Sequence, residues 1–400
     1  ALERSLILPP GEPKPDGMAL PASGSARRYF RFQRTDGSTF LGVYHADAHE
    51  NAAYLDFSRQ FLAKSLPVPA ILYVDDTYPV YFVADAGQEA LYDFLQLLGR
   101  RAEAVSCVAG KACAGVSTDG TSADNRSSTA TLAENDAIRY RLYQRVIDRL
   151  IDFQYTGGRD FDYRAAYPYE AFDENAIYAD LNYFKYYFLK LSGTPFDERA
   201  LEADFRKLTA WLAAVPRDVL MCRDFQSRNI LLGKPLPNAS VPADALQAFA
   251  ETVPLTFIDF QGGRRGPAAY DLATLLYEAK ANLSPALRED LLRYYMTCTA
   301  VTHPYAAGRD FEADYYGFVF LRIFQAMGAY GLRGLYERKA VFLQSIPHAI
   351  ANLARLADQG RLPADLPEIT RIIERLRHSR WAQAAELSAA PCGHTVPSQT

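Results

Sequence analysis

From Arg27 to Val83 the apolar positions run with period two, then with the period of a helix, then with period two again. Arg27 to Arg34 and Thr39 to Tyr44 alternate, and Thr35-Asp36-Gly37-Ser38 between them is a turn sequence, so this stretch predicts a hairpin. Asn51 to Leu66 puts Tyr54, Phe57, Phe61 and Leu62 at helical spacing, and Pro67 and Pro69 end that helix. Ala70 to Val74 and Val80 to Val83 predict two further strands around a polar turn. The predicted order is strand, strand, helix, strand, strand, preceded by a Pro- and Gly-rich loop at Pro9 to Pro15.

The pattern then changes. Asp85-Ala86-Gly87-Gln88 reads as a hinge, followed by a helix from Glu89 to Leu98. Ala102 to Thr131 is rich in Ser, Thr, Ala and Gly with little apolar periodicity, and is expected to be a mobile surface insertion in which Cys107 and Cys113 are incidental. Ile138, Leu142, Val146, Ile147, Leu150 and Ile151 line one face of a long helix. Helices are also predicted at Asn175 to Leu191, dense in aromatics, and at Phe205 to Val215. Ile230 to Leu232 and Leu255 to Ile258 predict short partner strands joined by a Pro/Ala-rich connection, Lys234 to Val253. Helices follow beyond Asp271 up to about Leu387, then a polar tail, 388–400. The expected fold class is α+β: a small β-rich part over 1–88 and a larger helical part over 89–387.

Composition narrows the function classes. The 400 residues are 49% hydrophobic and 22% charged with a net charge of −4, an ordinary globular balance without the basic field that nucleic acid or an anionic membrane requires. Five Cys without a Cys-x-x-Cys pair make neither a disulfide framework nor a zinc site, and the odd number fits a reducing compartment. The opening Ala1-Leu2-Glu3-Arg4 lacks the basic-then-apolar run of a signal peptide, so the expected location is the cytoplasm. Tyr315 to Leu335, the most apolar helix candidate, is broken by Arg322, Arg333 and four glycines and reads as a buried helix.

Two motifs carry chemistry. Cys222-Arg223-Asp224-Phe225-Gln226-Ser227-Arg228-Asn229 has Arg-Asp-x4-Asn spacing, and Phe257-Ile258-Asp259-Phe260-Gln261 follows some thirty residues on, between strand-like segments. Phosphoryl transfer needs in-line alignment and positive charge on the phosphates. Asp224 is the candidate that receives or orients the acceptor hydroxyl, and Asn229 and Asp259 are the candidate magnesium ligands, oxygen donors of the kind magnesium prefers. Turn or helix-cap duty for the two Asp residues is the competing reading, and it has to explain two motifs in the right order.

With Ser23-Gly24-Ser25-Ala26-Arg27-Arg28-Tyr29-Phe30-Arg31 and Gly266-Pro267-Ala268-Ala269-Tyr270-Asp271-Leu272-Ala273, these motifs resemble the aminoglycoside phosphotransferase-like, protein-kinase-like superfamily. The match runs from about Leu20 to Leu276, and the wording of Arg27-Arg28-Tyr29-Phe30-Arg31 and of Asp224-Phe225-Gln226-Ser227-Arg228-Asn229 points to the sugar-kinase branch of anomeric N-acetylmuramate/N-acetylglucosamine kinases. The resemblance implies a two-lobed kinase-like fold, ATP and Mg²⁺, a small-molecule sugar substrate, no nucleic-acid or membrane partner, and a downstream nucleotidyltransferase in cell-wall recycling. Gly24-Ser25-Ala26 fits a nucleotide-covering turn, whose small residues let backbone N–H groups approach phosphate, or an ordinary hairpin turn; the resemblance implies that Asp271 braces the catalytic loop from a helix N-cap. Cys222 stands where the superfamily usually has His, and Thr39 to Tyr44 has no Lys to grip phosphate. Arg28, or Arg27 beside it, is the candidate substitute, with Glu50 as its partner or simply as a helix-dipole acid.

Gln226 and Arg228 in the loop are candidate substrate contacts, as are Asp180, Asn182 and Lys185 among the aromatics of their helix. A structural ion pair for Arg228 and a core role for the aromatic stripe are the alternatives. Gln261-Gly262-Gly263-Arg264-Arg265 reads as a tight bend. The rival functions are an aminoglycoside or other antibiotic phosphotransferase, against which the Arg-rich carboxy-terminal helices speak, and a non-catalytic nucleotide-binding regulator, against which the complete Asp, Asn, Asp trio speaks.

Overall fold

The computed structural model describes residues 17–21, 26–75, 79–112, 123–362 and 365–383. In chain order its principal elements are β1 (Met18–Ala19), β2 (Arg28–Gln33), β3 (Thr39–Tyr44), α1 (Ala48–Ala63), β4 (Ile71–Asp75), β5 (Val80–Ala84), α2 (Leu91–Ala112), α3 (Ala123–Ile151), α4 (Glu174–Phe184) and α5 (Glu198–Ala214). After these come β6 (Val219–Met221), β7 (Ile230–Leu232), α6 (Ala243–Thr252), β8 (Leu255–Phe257), β9 (Arg264–Gly266), α7 (Ala268–Leu276), α8 (Pro285–Thr299) and α9 (Arg309–Tyr330). Among the described residues no helix is long and apolar enough to cross a membrane.

Two compact units are present. The first takes the chain up to Ala171 with Arg217–Leu276 and Leu283–Ala307; the second takes Phe172–Pro216, Tyr277–Asn282 and the chain from Gly308. The first unit holds an antiparallel sheet of order β1-β2-β3-β5-β4. Its hairpin closes where Asp36 accepts the Ser38 N–H at 2.8 Å and Gly37 takes a φ of +84°, a conformation that favours glycine. Strand parity sorts the side chains: Phe32, Phe40, Val80 and Phe82 pack together on one face, joined by Phe30, Tyr44 and Tyr73. α1 starts at Asp47, whose carboxylate accepts the N–H groups of His49 and Glu50, and buries Tyr54, Phe57 and Phe61 along one stripe.

The structure departs from the sequence reading in three places. The stretch expected as a mobile insertion is helical at 102–112 and 123–131, in α2 and α3, while 113–122, with Cys113, lie outside the described residues, as does the 388–400 tail. The connection from Lys234 to Val253 contains α6, which buries Leu246 and Ala250. The Asn175-to-Leu191 helix is α4 continued by a π-helical stretch, Lys185–Leu189, and a last turn at Lys190–Ser192. Alanine favours helix, so alanine-bearing segments form helices even inside stretches whose Ser, Thr, Gly or Pro content suggests loop.

In the second unit α4, α5 and α9 pack around Phe184, Phe188, Phe320 and Phe324. Caps set the helix starts: Asp173 accepts the Ala176 N–H at 2.9 Å and Asp197 accepts the Ala200 N–H at 2.7 Å.

Candidate active site

Two short antiparallel ladders in the first unit carry the motif residues. β6 pairs with β9, and β7 pairs with β8, with Ile230 opposite Phe257. Asp224 and Asn229 lie on the loop between β6 and β7, and Asp259 lies just past β8. Apolar anchors flank each polar residue. The ring of Phe225, next to Asp224, stacks on Phe257 at 5.1 Å. The ring of Phe260, next to Asp259, stacks on Tyr54 at 5.2 Å and meets Phe61 edge-on at 5.1 Å. Only about 10 Å³ of open space remains where Phe153, Phe225 and Phe257 meet the loop.

Buried polar support completes the loop. Asp271, fully buried in the first turn of α7, accepts the Cys222 N–H at 2.6 Å and the Arg223 N–H at 2.9 Å. The expected brace therefore exists, but from inside the first turn and not from an N-cap. Arg223 has a φ of +72° and Asp259 a φ of +63°, left-handed conformations that cost a non-glycine residue of order 1 kcal/mol and hold only where the surroundings dictate them. Gly263 closes the turn after Asp259, where a Cβ would sit 2.9 Å from the Phe260 carbonyl oxygen. Cys222 is buried beneath the loop, and burial, then the nearby Asp271 carboxylate, pushes its thiol well above the ordinary range, so it is neutral and inert.

The sequence-predicted trio converges. The Asn229 amide nitrogen donates to the Asp224 carbonyl at 2.9 Å and to Asp259 Oδ2 at 3.2 Å. The Gln261 amide nitrogen donates to Asp259 Oδ1 at 2.7 Å, so both Asp259 oxygens are oriented. The Asp259 carboxylate is reachable by solvent yet crowded by protein. Crowding, then the Asp224 charge, raises its pKa; Gln261, Arg27 and Asn229 only partly offset this. Two neighbouring carboxylates beside a side-chain amide are a donor set for a hard divalent cation. Among the described residues no cluster of three or more His, Cys, Asp and Glu competes with it.

The two candidate basic residues lie in different surroundings. Arg28, the candidate that strand position suggested, is exposed. Arg27 is only 4% exposed, and its guanidinium pairs with Glu50 at 3.2 Å and lies 5.8 Å from the centre of the Tyr54 ring. The signal was in the strand alternation: Arg28 shares parity with Phe30 and Phe32, whereas Arg27 shares it with Tyr29 and Arg31. Of the nucleotide-covering candidates, Ala26 is exposed, and Gly24 and Ser25 lie outside the described residues.

Other candidates fall in separate places. Gln226 shapes the loop through its backbone, its N–H bonding the Asp224 carbonyl and its carbonyl accepting from Asn229, both at 2.9 Å. Arg228 lies over the Tyr92 ring at 4.3 Å. Asp180, Asn182 and Lys185 belong to the second unit. Asp180 is buried, Asn182 donates to the Tyr178 carbonyl, and the Lys185 ammonium pairs with Glu198 at 3.1 Å and with Glu202. Burial opposes the Lys185 charge, but these two acids outweigh it and raise its pKa.

The segment read as a hinge borders a cleft of about 620 Å³, lined also by Thr39, Leu232 and Thr256. Arg31 grips Asp85 through two bonds, of 2.5 and 3.1 Å, and Asp85 accepts the Gly87 N–H at 3.0 Å. Burial works to raise the Asp85 pKa, yet Arg31, this N–H and the Thr39 hydroxyl bring it below the usual range. A second cavity, of about 530 Å³, is built wholly from second-unit residues; its Lys207 and Arg361 are paired with Asp365 and Glu312.

A five-stranded sheet with one helix after its third strand, then a mainly helical remainder carrying the paired β6–β9 and β7–β8 ladders, is a definite topology. The fold is α+β, with a small antiparallel sheet and a mostly helical larger part. No protein-family model matches the chain, and no curated protein matches it. Solved structures do. A choline kinase from Cryptosporidium parvum Iowa II gives a TM-score of 0.48 at 12% identity, over 87% of this chain and 91% of that one. The GDP and kanamycin complex of APH(2")-IIia gives 0.46 at 14%, over 82% and 89%. A choline/ethanolamine kinase family protein from Mesorhizobium loti gives 0.42 at 16%, over 90% and 92%.

Proposed function

We propose that the chain is an ATP- and magnesium-dependent small-molecule kinase that phosphorylates a sugar hydroxyl, with the anomeric hydroxyl of N-acetylmuramate or N-acetylglucosamine as the favoured acceptor. The observation that carries the kinase reading is the convergence of Asp259 and Asn229 at 3.2 Å, with Asn229 also tied to the Asp224 backbone. Magnesium bound there would neutralise the triphosphate and shield the two carboxylates from each other. Asn229 and Asp259 would hold it. Asp224 would orient the acceptor hydroxyl and take its proton as that oxygen bonds the γ-phosphorus and the bond to the ADP oxygen breaks. The cleft beside Asp85–Glu89 has the size of a small-molecule site and is the candidate seat of the base.

The sugar acceptor rests on the resemblance of the Arg27-to-Arg31 run and of Asp224-Phe225-Gln226-Ser227-Arg228-Asn229 to the anomeric sugar kinases. Gln226 and Arg228 are the candidate acceptor contacts. A nucleotidyltransferase would then consume the sugar 1-phosphate. Phosphorus NMR with Mg-ATP and a panel of N-acetylmuramate, N-acetylglucosamine, glucose and kanamycin tests all of this. A new anomeric phosphate from the acetylated sugars is the expected result. Phosphate on kanamycin instead moves the chain to the antibiotic branch, and no transfer to any acceptor overturns the sugar-kinase reading.

A further inference from the structure

We propose that the cavity of about 530 Å³ in the second unit binds a flat aromatic carboxylate, a small monoanion; this site shares no residue with the Asp224–Asp259 centre and does not depend on the kinase reading. Its volume is that of a small-molecule site. The buried part of its lining is apolar and aromatic: Leu208 of α5, Tyr316 of α9 and Leu366 are each no more than 5% exposed. The charged part is Lys207, Arg361 and Asp365, two cations against one acid. That surplus of one positive charge complements a monoanion, whereas a dianion would leave a charge uncompensated.

The walls are fixed by the fold. Asp204, buried one turn before Leu208 on α5, accepts the N–H groups of Glu368 and Ile369 at 2.7 and 3.0 Å, and so ties the chain after Leu366 to α5. The helix α10 (Ile346–Asp358) is followed by Gly360 at a φ of +67°, and the Arg361 N–H returns to the Leu356 carbonyl at 2.9 Å. That turn brings Arg361 to the cavity, with its guanidinium 4.4 Å from the centre of the Tyr316 ring and bonded to Glu312 at 2.7 Å. Trp211 is held against the α9 backbone, since a Cβ at Gly317 would come within 2.7 Å of its ring.

Two groups in this lining have capacity to spare. Lys207 Nζ donates to the Asp365 carboxylate at 2.9 Å and to the Asp365 carbonyl at 3.0 Å, and an ammonium has a third N–H. The Lys207 side chain is 51% exposed and that of Asp365 83%, so this pair holds weakly and can yield to a ligand carboxylate. Trp211 is half-buried, and among the described residues its indole N–H has no protein acceptor; the Trp381 N–H, by contrast, donates to the Ser192 carbonyl at 3.1 Å. A planar ring gains from Trp211 and Tyr316 the stacked or edge contacts that an aliphatic acid of equal size does not.

The test is titration calorimetry with three probes of one ring system: naphthoate, the neutral naphthalenemethanol and the cationic naphthylmethylammonium. The variants are Lys207→Met and Ala313→Phe, the second adding a ring at an exposed α9 position that lines the cavity; circular dichroism checks that both fold. Wild type should bind naphthoate saturably, below about 1 mM and more tightly than either other probe. Lys207→Met should weaken naphthoate by about 5- to 10-fold and leave the alcohol unchanged, and Ala313→Phe should weaken both. Absence of saturable naphthoate binding to wild type overturns the proposal, and so does equal or tighter binding of the ammonium. Naphthoate affinity that stays at the wild-type level in either folded variant overturns it as well, because the anion would then be held elsewhere or without Lys207.

Discussion

Two polar clusters of this molecule use the same kinds of residue to opposite ends. In the first unit, Asp259 is held beside Asp224 with amides on both of its oxygens, and burial followed by that neighbour raises its pKa. In the second, Glu202 receives the Lys185 ammonium and the Tyr178 hydroxyl, which overcome the effect of burial and lower its pKa. The second cluster is electrostatically satisfied by its own members. In the first, Asp259 is oriented to a fine tolerance while its charge is only partly compensated. A satisfied cluster has little left to offer a ligand, whereas an ordered carboxylate whose charge is only partly compensated is a candidate cation site.

Substitutions can collapse or widen this difference, beginning with the most damaging. Asp224→Asn should lower phosphoryl transfer by about 10²- to 10⁴-fold while nucleotide affinity, measured by calorimetry, stays close to wild type. Full turnover by that variant would end the assignment of Asp224. Next, Asp271→Ala strands two buried N–H groups and relaxes the left-handed Arg223, at a cost of about 3 kcal/mol in urea unfolding, and turnover should fall with it. Asp271→Asn keeps acceptor capacity and should recover part of both losses.

Lys185→Met should cost about 1–2 kcal/mol, because Glu202 loses its cation while Glu198 is half in water. The Lys185 pKa is raised in the fold, so its contribution is complete below the unfolded lysine pKa and disappears as pH climbs through the folded value. Glu202 has a lowered pKa, so its share is present above the unfolded carboxyl pKa and is lost as pH falls. Wild type and Lys185→Met should therefore differ most near neutral pH and converge in acid. A pH-independent difference would mean that packing, not charge, binds this cluster.

The mildest pair of variants sets the clusters directly against each other. Glu202→Gln should lower the neutral-pH melting temperature, and Asp259→Asn should raise it slightly in the absence of metal. The Asp259 pKa is raised in the fold, so its ionised form costs stability above the unfolded carboxyl pKa, and protonation relieves that cost as pH falls. The gain in Asp259→Asn should vanish in acid, and the same substitution should abolish stabilisation by Mg-nucleotide. A loss of stability in Asp259→Asn at neutral pH would show the two clusters to be alike.

The order of strands and helix through Ala84, the hairpin turn, and the three residues Asp224, Asn229 and Asp259 are all legible in the chain alone. These are local facts: strand parity, helical spacing and motif spacing are fixed by backbone geometry over a few residues. Packing settled the rest. Gln261 read as part of a bend and proved to hold Asp259, because only folding brings its amide back onto that carboxylate. Arg27 and not Arg28 meets Glu50, twenty-three residues apart in sequence, across a helix and a strand. The helical runs at 102–112, 123–131 and in α6 sit inside stretches whose Ser-, Gly- or Pro-rich composition reads as loop, and their helicity shows only in the fold. Lys185 looked like a substrate contact among aromatics, and its ion pairs arise only when α4 and α5 pack together. Motif spacing is written along the chain, but which charge neutralises which depends on distances that only the folded arrangement sets.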